Sequence, residues 1–190
     1  MRSSLSPTIP DLVVLSLLAE KPYHGYGLNQ ELEWREVRDW AGISRPQVYY
    51  SLTKLARNGM IRPASDHEDA TGPERQVYGI TAAGRAALKK ALKRPEWAEQ
   101  RPPPPFLTWM ALASHADPAT VRDQLARRRK YLLAEVERER KTLAEFSGHA
   151  GYGADAGWLM VSLAIRQFEL ELAWLDEACG RLARYTEASS

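Results

Sequence analysis

Four prolines in succession, Pro102 to Pro105, constrain what this chain can fold into more than any other feature. Consecutive prolines favour an extended polyproline geometry and cannot continue a helix. The 190-residue chain is therefore predicted to form two small domains, residues 1–94 and 106–190, joined by a proline-rich linker at 95–105. Hydrophobic residues make up 44% of it and charged residues 26%, proportions of a soluble globular protein rather than a disordered one.

Within the first domain, Thr8-Ile9-Pro10-Asp11 has capping-box spacing with proline in the first turn, and opens a helix from Leu12 to Glu20. That helix is apolar nearly all round, which suits burial between other elements. Lys21-Pro22 stops it. Tyr23 to Gly27 reads as a tight connection into a second helix, about Tyr26 to Arg35. Trp34, Val37, Trp40 and Ile43 supply apolar anchors around a short linker, with Trp34 and Trp40 read as structural braces.

The stretch Ile43 to Ile61 is the most informative. Ser44 is a good N-cap, Pro46 suits the first turn, and Asn58-Gly59 supplies the left-handed stop, so a helix is predicted over Arg45–Asn58. On a helical wheel Val48, Leu52 and Leu55 stack on one side with Ala56 at the border. The other side carries Gln47, Tyr50, Lys54 and Arg57, with Pro46 and Thr53 between, and no carboxylate occurs between Asp39 and Asp66. An ordinary solvated face is the alternative reading.

After Gly59 the pattern changes period. Met60–Pro63 and Arg75–Ile80 read as two short strands, the polar residues 65–74 between them as a long hairpin tip, and Thr81 as the cap of a helix to about Arg94. Three helices, a hairpin and a closing helix make a winged helix-turn-helix, in which the third helix enters the major groove of DNA and the hairpin meets the backbone beside it. Charge agrees in sign. Residues 1–94 hold 14 Lys and Arg against 10 Asp and Glu, while the remainder holds 12 against 14. The positive half is thus the one with the Ser44–Asn58 helix, as an anionic partner requires.

Beyond the prolines the chain is predicted to be all-helical. Phe106–Ser114 makes a short apolar helix. Asp117-Pro118 caps a long one to about Phe146, with Val121, Leu125, Leu132, Val136, Leu143 and Phe146 on its inner side. Gly148 to Gly157 reads as a flexible turn; its glycines follow a helix, so they do not form a phosphate loop. In the last helix Trp158, Val161, Ile165, Phe168, Leu172, Leu175, Cys179 and Leu182 recur at steps of three and four, a coiled-coil-like seam that calls for a partner helix. Self-association through this half is the prediction, an intramolecular helical hairpin the alternative.

Catalytic and metal chemistry is looked for without result. The four histidines (His24, His67, His115, His149) lack ligand spacing with one another or with Cys179. No zinc-protease, nucleophile-elbow or phosphate-loop motif occurs. An enzyme, a metal site and a cofactor are therefore not expected. Lone Cys179 cannot form an intramolecular disulfide and reads as a buried small hydrophobe, with a redox sensor as the alternative. No apolar stretch is long enough to span a bilayer and no signal peptide is evident, so a cytoplasmic location is expected. Arg127–Lys130 reads as solvated surface, a second anion site being the alternative. Trp97, Trp109, Trp158 and Trp174 fall in or beside the second half, where they either build the core or sandwich a flat ligand.

Several words occur together in order: S-P-T-I-P-D-L-V-V-L-S-L-L-A at Ser6–Ala19, H-G-Y-G-L at His24–Leu28, S-R-P-Q-V-Y-Y-S-L-T-K-L-A-R-N-G-M-I at Ser44–Ile61, and R-Q-V-Y-G-I-T-A-A-G-R-A-A-L at Arg75–Leu88. With these words the chain resembles the PadR family of transcriptional regulators. Its second half resembles, by architecture, the virulence-activator-type subgroup with a helical dimerisation domain. The resemblance implies a homodimer on an inverted-repeat operator in double-stranded DNA, in some members released by a small aromatic or cationic effector. Carried over by position, Gln47, Tyr50, Ser51 and Lys54 would face base edges, and Tyr49 would touch the backbone or else pack in the core. Ser44 at the helix cap also belongs to the expected DNA-binding set, and Arg45 and Arg57 near the helix ends and Arg75 at the wing are its candidate phosphate partners. The alternative function is a helical interaction module whose winged domain binds protein.

Overall fold

Thr8 and Asp11 start the first helix as their spacing predicts. The Asp11 carboxylate accepts from the Thr8 amide and from the Thr8 hydroxyl, both at 2.8 Å, and helix α1 runs Ile9–Glu20. The structure is a computed structural model that describes residues 6–64, 76–99, 105–146, 148 and 150–186. It divides into two compact units, Met1–Arg101 and Pro102–Ser190. Residues 100–104 of the expected linker, the hairpin tip at 65–74 and Arg75 at the start of the second expected strand lie outside the described residues.

In the first unit α1 is followed by β1 (Tyr23–His24), α2 (Gly25–Trp34), α3 (Val37–Ala41), α4 (Arg45–Arg57), β2 (Ile61–Pro63), β3 (Val77–Ile80), α5 (Ala82–Ala91) and α6 (Glu96–Glu99). A helix without a polar side must be surrounded, and α1 is: α4, α5 and β3 all pack on it. Val14, Leu15 and Leu18 meet Leu28 and Leu32 of α2 and Val48, Leu52 and Leu55 of α4 in one buried cluster. Each such side chain contributes about 1.5–3 kcal/mol on burial.

The short helix α6 falls within the stretch expected to be linker, and two elements ahead of α4 were not foreseen either. The connection before α2 contains β1, which pairs antiparallel with β3 (Tyr23 with Tyr78, His24 with Val77) and completes a sheet of order β1-β3-β2. His24 also caps α2, its Nδ1 accepting from the Gly27 amide at 2.8 Å. The other is α3, entered through Glu36 in the left-handed region (φ 49°) and left through Gly42 (φ 61°). This reversal brings Val37 into the core but leaves Trp34 80% and Trp40 51% exposed, so the two tryptophans are not the internal braces expected of them.

The root of the wing is tied to the end of α4. The Thr81 amide donates to the Met60 carbonyl at 3.0 Å, and its hydroxyl donates to the Gly59 and Met60 carbonyls at 2.8 and 3.0 Å. Thr81 Oγ1 also accepts from the Gly84 amide at 3.1 Å, capping α5. Here α5 approaches β2 so closely that a Cβ on Gly84 would overlap the Met60 carbonyl oxygen.

The second unit comprises α7 (Pro105–Leu112), a 3-10 turn at Ala113–His115, α8 (Pro118–Glu145) and α9 (Tyr152–Thr186). Asp117 caps α8, its Oδ1 accepting from the Thr120 amide at 2.9 Å. The glycine-rich turn is shorter than expected, because α9 starts within it; Gly148 and Gly151 supply its positive φ angles. Helices α8 and α9 pack along one another. Val161, Ile165 and Leu175 of the seam are buried, as are Val121, Leu125, Leu132 and Val136 of α8. Phe168, Leu172 and Leu182 are partly buried against that core. Trp158 and Cys179 depart from the prediction: both are exposed, and Ala178 takes the buried place beside Cys179. Much of the seam is thus occupied within the chain, as in the helical-hairpin alternative. Arg128 ties the unit together, paired with Glu171 through two bonds of 2.8 and 2.7 Å and set over the Phe106 and Tyr131 rings.

Gly84→Ala should lower the urea midpoint of the first unit, by about 1–3 kcal/mol in stability, since carbonyl and helix cannot both stay in place. Gly180→Ala, in open space on α9, should instead be neutral or stabilising by up to about 1 kcal/mol.

Candidate nucleic-acid interface

Helix α4 is built to show one side. Ser44 and Gln47 form a capping box, in which Gln47 Oε1 accepts from the Ser44 amide at 2.7 Å and from its hydroxyl at 3.0 Å. The glutamine expected at a base edge is therefore engaged at the helix start, though it remains exposed. With Val48, Leu52 and Leu55 anchored in the core, the 100° step between residues brings Pro46, Tyr50, Thr53 and Arg57 to the outside. Tyr50 is 70% exposed. Arg57 is exposed and has no ion pair among the described residues. Arg45 at the helix start is exposed and lies 3.6 Å from Glu33, which also reaches Arg38 at 3.4 Å. Tyr49 is half-buried and packs on the core cluster, the core side of its two readings.

Two residues do not join this surface. Ser51 is 1% exposed, because it falls on the flank of α4 that faces α1. Lys54, one turn later on the same flank, turns its ammonium inward to Asp11 Oδ2 at 2.6 Å. The wheel placed Lys54 on the polar side, with an expected role at a base edge, and the buried carboxylate on another helix turns it away from there. Burial pushes the Asp11 carboxyl toward its neutral form. Hydrogen bonds from Lys54, the Thr8 amide and hydroxyl, and Ser51 outweigh that and hold it below the usual carboxylate range.

One cation escaped the sequence reading. Arg62 stands exposed on β2, paired in register with Gly79. The two-residue period of a strand with Ile61 inward would have placed it outward.

The four tryptophans are divided between the two units. Trp97 belongs to the first unit, where its indole donates to the Ala91 carbonyl at 2.8 Å and Arg94 lies over its ring. Trp109 stacks on Phe106, ring centroids 5.4 Å apart. Trp158 and Trp174 are sixteen residues apart on α9, roughly 24 Å at 1.5 Å per residue. Trp174 lines an open cleft of about 450 Å³ with Met110, Glu177, Ala178, Arg181 and Leu182. Among the described residues no group of His, Cys, Asp and Glu could hold a metal ion, and no helix is long and apolar enough to cross a membrane.

The family model of PadR-like transcriptional regulators matches residues 14–90, and that of the virulence activator alpha C-terminal domain matches residues 105–183. An uncharacterised protein of Lysinibacillus sphaericus is 32% identical over 89 residues, covering 47% of this chain and 78% of that protein. Among solved structures, Bacillus subtilis PadR in complex with operator DNA superposes with a TM-score of 0.71 at 18% identity, over 92% of this chain and 99% of that one. The same regulator in complex with p-coumaric acid gives 0.73 at 16% identity, over 93% and 99%. A PadR-like regulator of Bacillus cereus gives 0.69 at 18%, also over 93% and 99%. At these identities the superpositions establish the fold.

Lys54→Ala should destabilise the first unit by about 3–5 kcal/mol, since it strands a buried carboxylate, whereas Tyr50→Ala should change stability by no more than about 0.5 kcal/mol. Stability contributed by ionised Asp11 is fully present above its unfolded pKa of about 3.9 and is lost as pH falls through its lower folded value. Asp11→Asn should accordingly flatten the acid limb of a stability–pH curve measured by urea titration.

Proposed function

Carrying one matched domain at residues 14–90 and the other at 105–183, the chain belongs to the PadR-like family of transcriptional regulators, and we propose that it binds an inverted-repeat operator as a homodimer. The observation that carries this reading is the outer side of α4: Tyr50, Thr53 and Arg57 in a row, free of carboxylates, on a helix whose opposite side is locked into the core. In this reading Arg45 and Arg57 near the two ends of α4 and Arg62 on the wing strand neutralise phosphates, while Tyr50, and Gln47 through the amide nitrogen that its capping bonds leave over, meet the groove. The related regulator solved with operator DNA supports the same use of the fold.

Dimerisation draws on a second apolar stripe of α9. With one face spent on α8, Leu159, Leu163, Leu170 and Trp174 remain 62%, 57%, 73% and 42% exposed. They recur at helical spacing on the other face, where a second copy would cover them. The cleft at Met110 and Trp174 is the place in this unit for a small aromatic effector, in keeping with the p-coumaric acid complex of the related regulator. The protein would work in the cytoplasm, where its DNA is. The exposed Trp34 and Trp40 favour a second reading, a winged unit that grips another protein.

Selection of bound fragments from genomic DNA, followed by anisotropy titration over a salt series, separates the two. DNA recognition requires an enriched two-fold-symmetric site and a log–log salt slope that Arg57→Ala makes shallower by about 0.9. Absence of binding at low salt would favour the protein partner. In sedimentation equilibrium the pair Leu163→Glu and Leu170→Glu should convert a dimer to a monomer that keeps its helical content.

A further inference from the structure

A lysine on the DNA-facing helix of a winged fold is ordinarily counted as an interface cation. Here it is not available as one. Asp11 is buried, and its Oδ2 gathers three donors: the Thr8 amide and hydroxyl at 2.8 Å each and the Lys54 ammonium at 2.6 Å. The Lys54 side chain is 17% exposed and that of Asp11 1%. Lys54 therefore spends its charge 43 residues back along the chain, on the N-terminal turn of a different helix.

We propose that Asp11 is a positioning residue for the DNA-binding surface: it holds Lys54 within the winged unit, keeps that cation away from phosphate, and fixes the rotation of α4 about its own axis. The inference rests on the DNA-binding reading above and adds to it. The apolar side of α4 alone would tolerate small rolls, because contacts among Val48, Leu52 and Leu55 and their neighbours are non-directional. An ion pair at hydrogen-bond distance is directional, and a roll that carried Lys54 outward would leave a carboxylate without its cation inside the protein. With Lys54 drawn to one flank, the outward row is Tyr50, Thr53 and Arg57. The sequence alone would have centred the surface nearer Lys54.

The salt dependence of binding to a labelled duplex of fixed sequence tests this, because a cation on phosphate steepens the log–log slope by about 0.9 and one neutralised inside the protein does not. The comparison uses the full chain as wild type, Asp11→Asn, the double variant Asp11→Asn/Lys54→Met, and Arg57→Ala. The double variant leaves no buried charge behind and keeps the wild-type net charge. It is expected to have the wild-type slope, whereas Asp11→Asn alone, with Lys54 released, should be steeper by about 0.9. A double variant shallower than wild type by about 0.9 would show Lys54 at phosphate all along and overturn the proposal. So would a wild-type slope in folded Asp11→Asn. Should Asp11→Asn fail to fold, the double variant against wild type decides alone. A wild type that binds no duplex would overturn the DNA reading and this inference with it, whereas a shallower double variant with Arg57→Ala also shallower would overturn this inference only.

Discussion

A carboxylate without access to water must be answered from inside the protein, and the winged unit is arranged around one such answer. Asp11 closes the first turn of α1 through Thr8 and closes α1 onto α4 through Lys54. The first bond is local and forms with the helix. The second exists only once α4 lies where it does, so an interaction that caps one helix also specifies the placement of another. The surrounding leucines and valines supply most of the stabilisation, but they are interchangeable in direction. The ion pair is not, and although a buried pair adds little net stability over apolar groups of similar size, removing one partner alone is costly.

That arrangement sorts the cations around α4 by what each has for company. Lys54 is neutralised within the core, Arg45 shares Glu33 with Arg38, and Arg57 stands without an ion pair among the described residues. A count of basic residues along the helix would treat all three alike. An anion approaching the surface would meet Arg57 unopposed and Arg45 after a weak, solvent-screened competition with Glu33, for which little energy is at stake. It would not meet Lys54.

Much of this was legible in the residues, and the boundary of legibility is physical. The Thr8–Asp11 capping box, the Ser44 cap, the glycine stop at Gly59 and the apolar sides of α1, α4 and α8 follow from interactions a few residues apart, which a sequence displays directly. The answering bond from Gln47 to Ser44 was not read there, because the same glutamine also suited an outward-facing role. Lys54 was misplaced because its partner is 43 residues away, and nothing at Asp11 beyond its capping role announces a second bond. Helix α3 was missed because its entrance is a glutamate with positive φ, a residue type that carries no turn signal. Strand β1 is two residues long and exists by virtue of pairing with β3. Cys179 and Trp158 kept heptad spacing yet ended outside. The α-helix drifts about 20° per heptad against a strict 3.5-residue repeat, and over a helix as long as α9 the seam rotates off its partner at the ends.

Thr81 ties the last carbonyls of the α4 turn to the first residues of α5, and β2 begins two residues after Gly59. The end of the helix and the root of the wing are consequently held together by three hydrogen bonds from one threonine. Any surface that receives the helix meets the strand beside it at a preset angle. Accommodation must then come from the other party, by bending or by widening its groove, and the stiffness of that party becomes part of what is recognised.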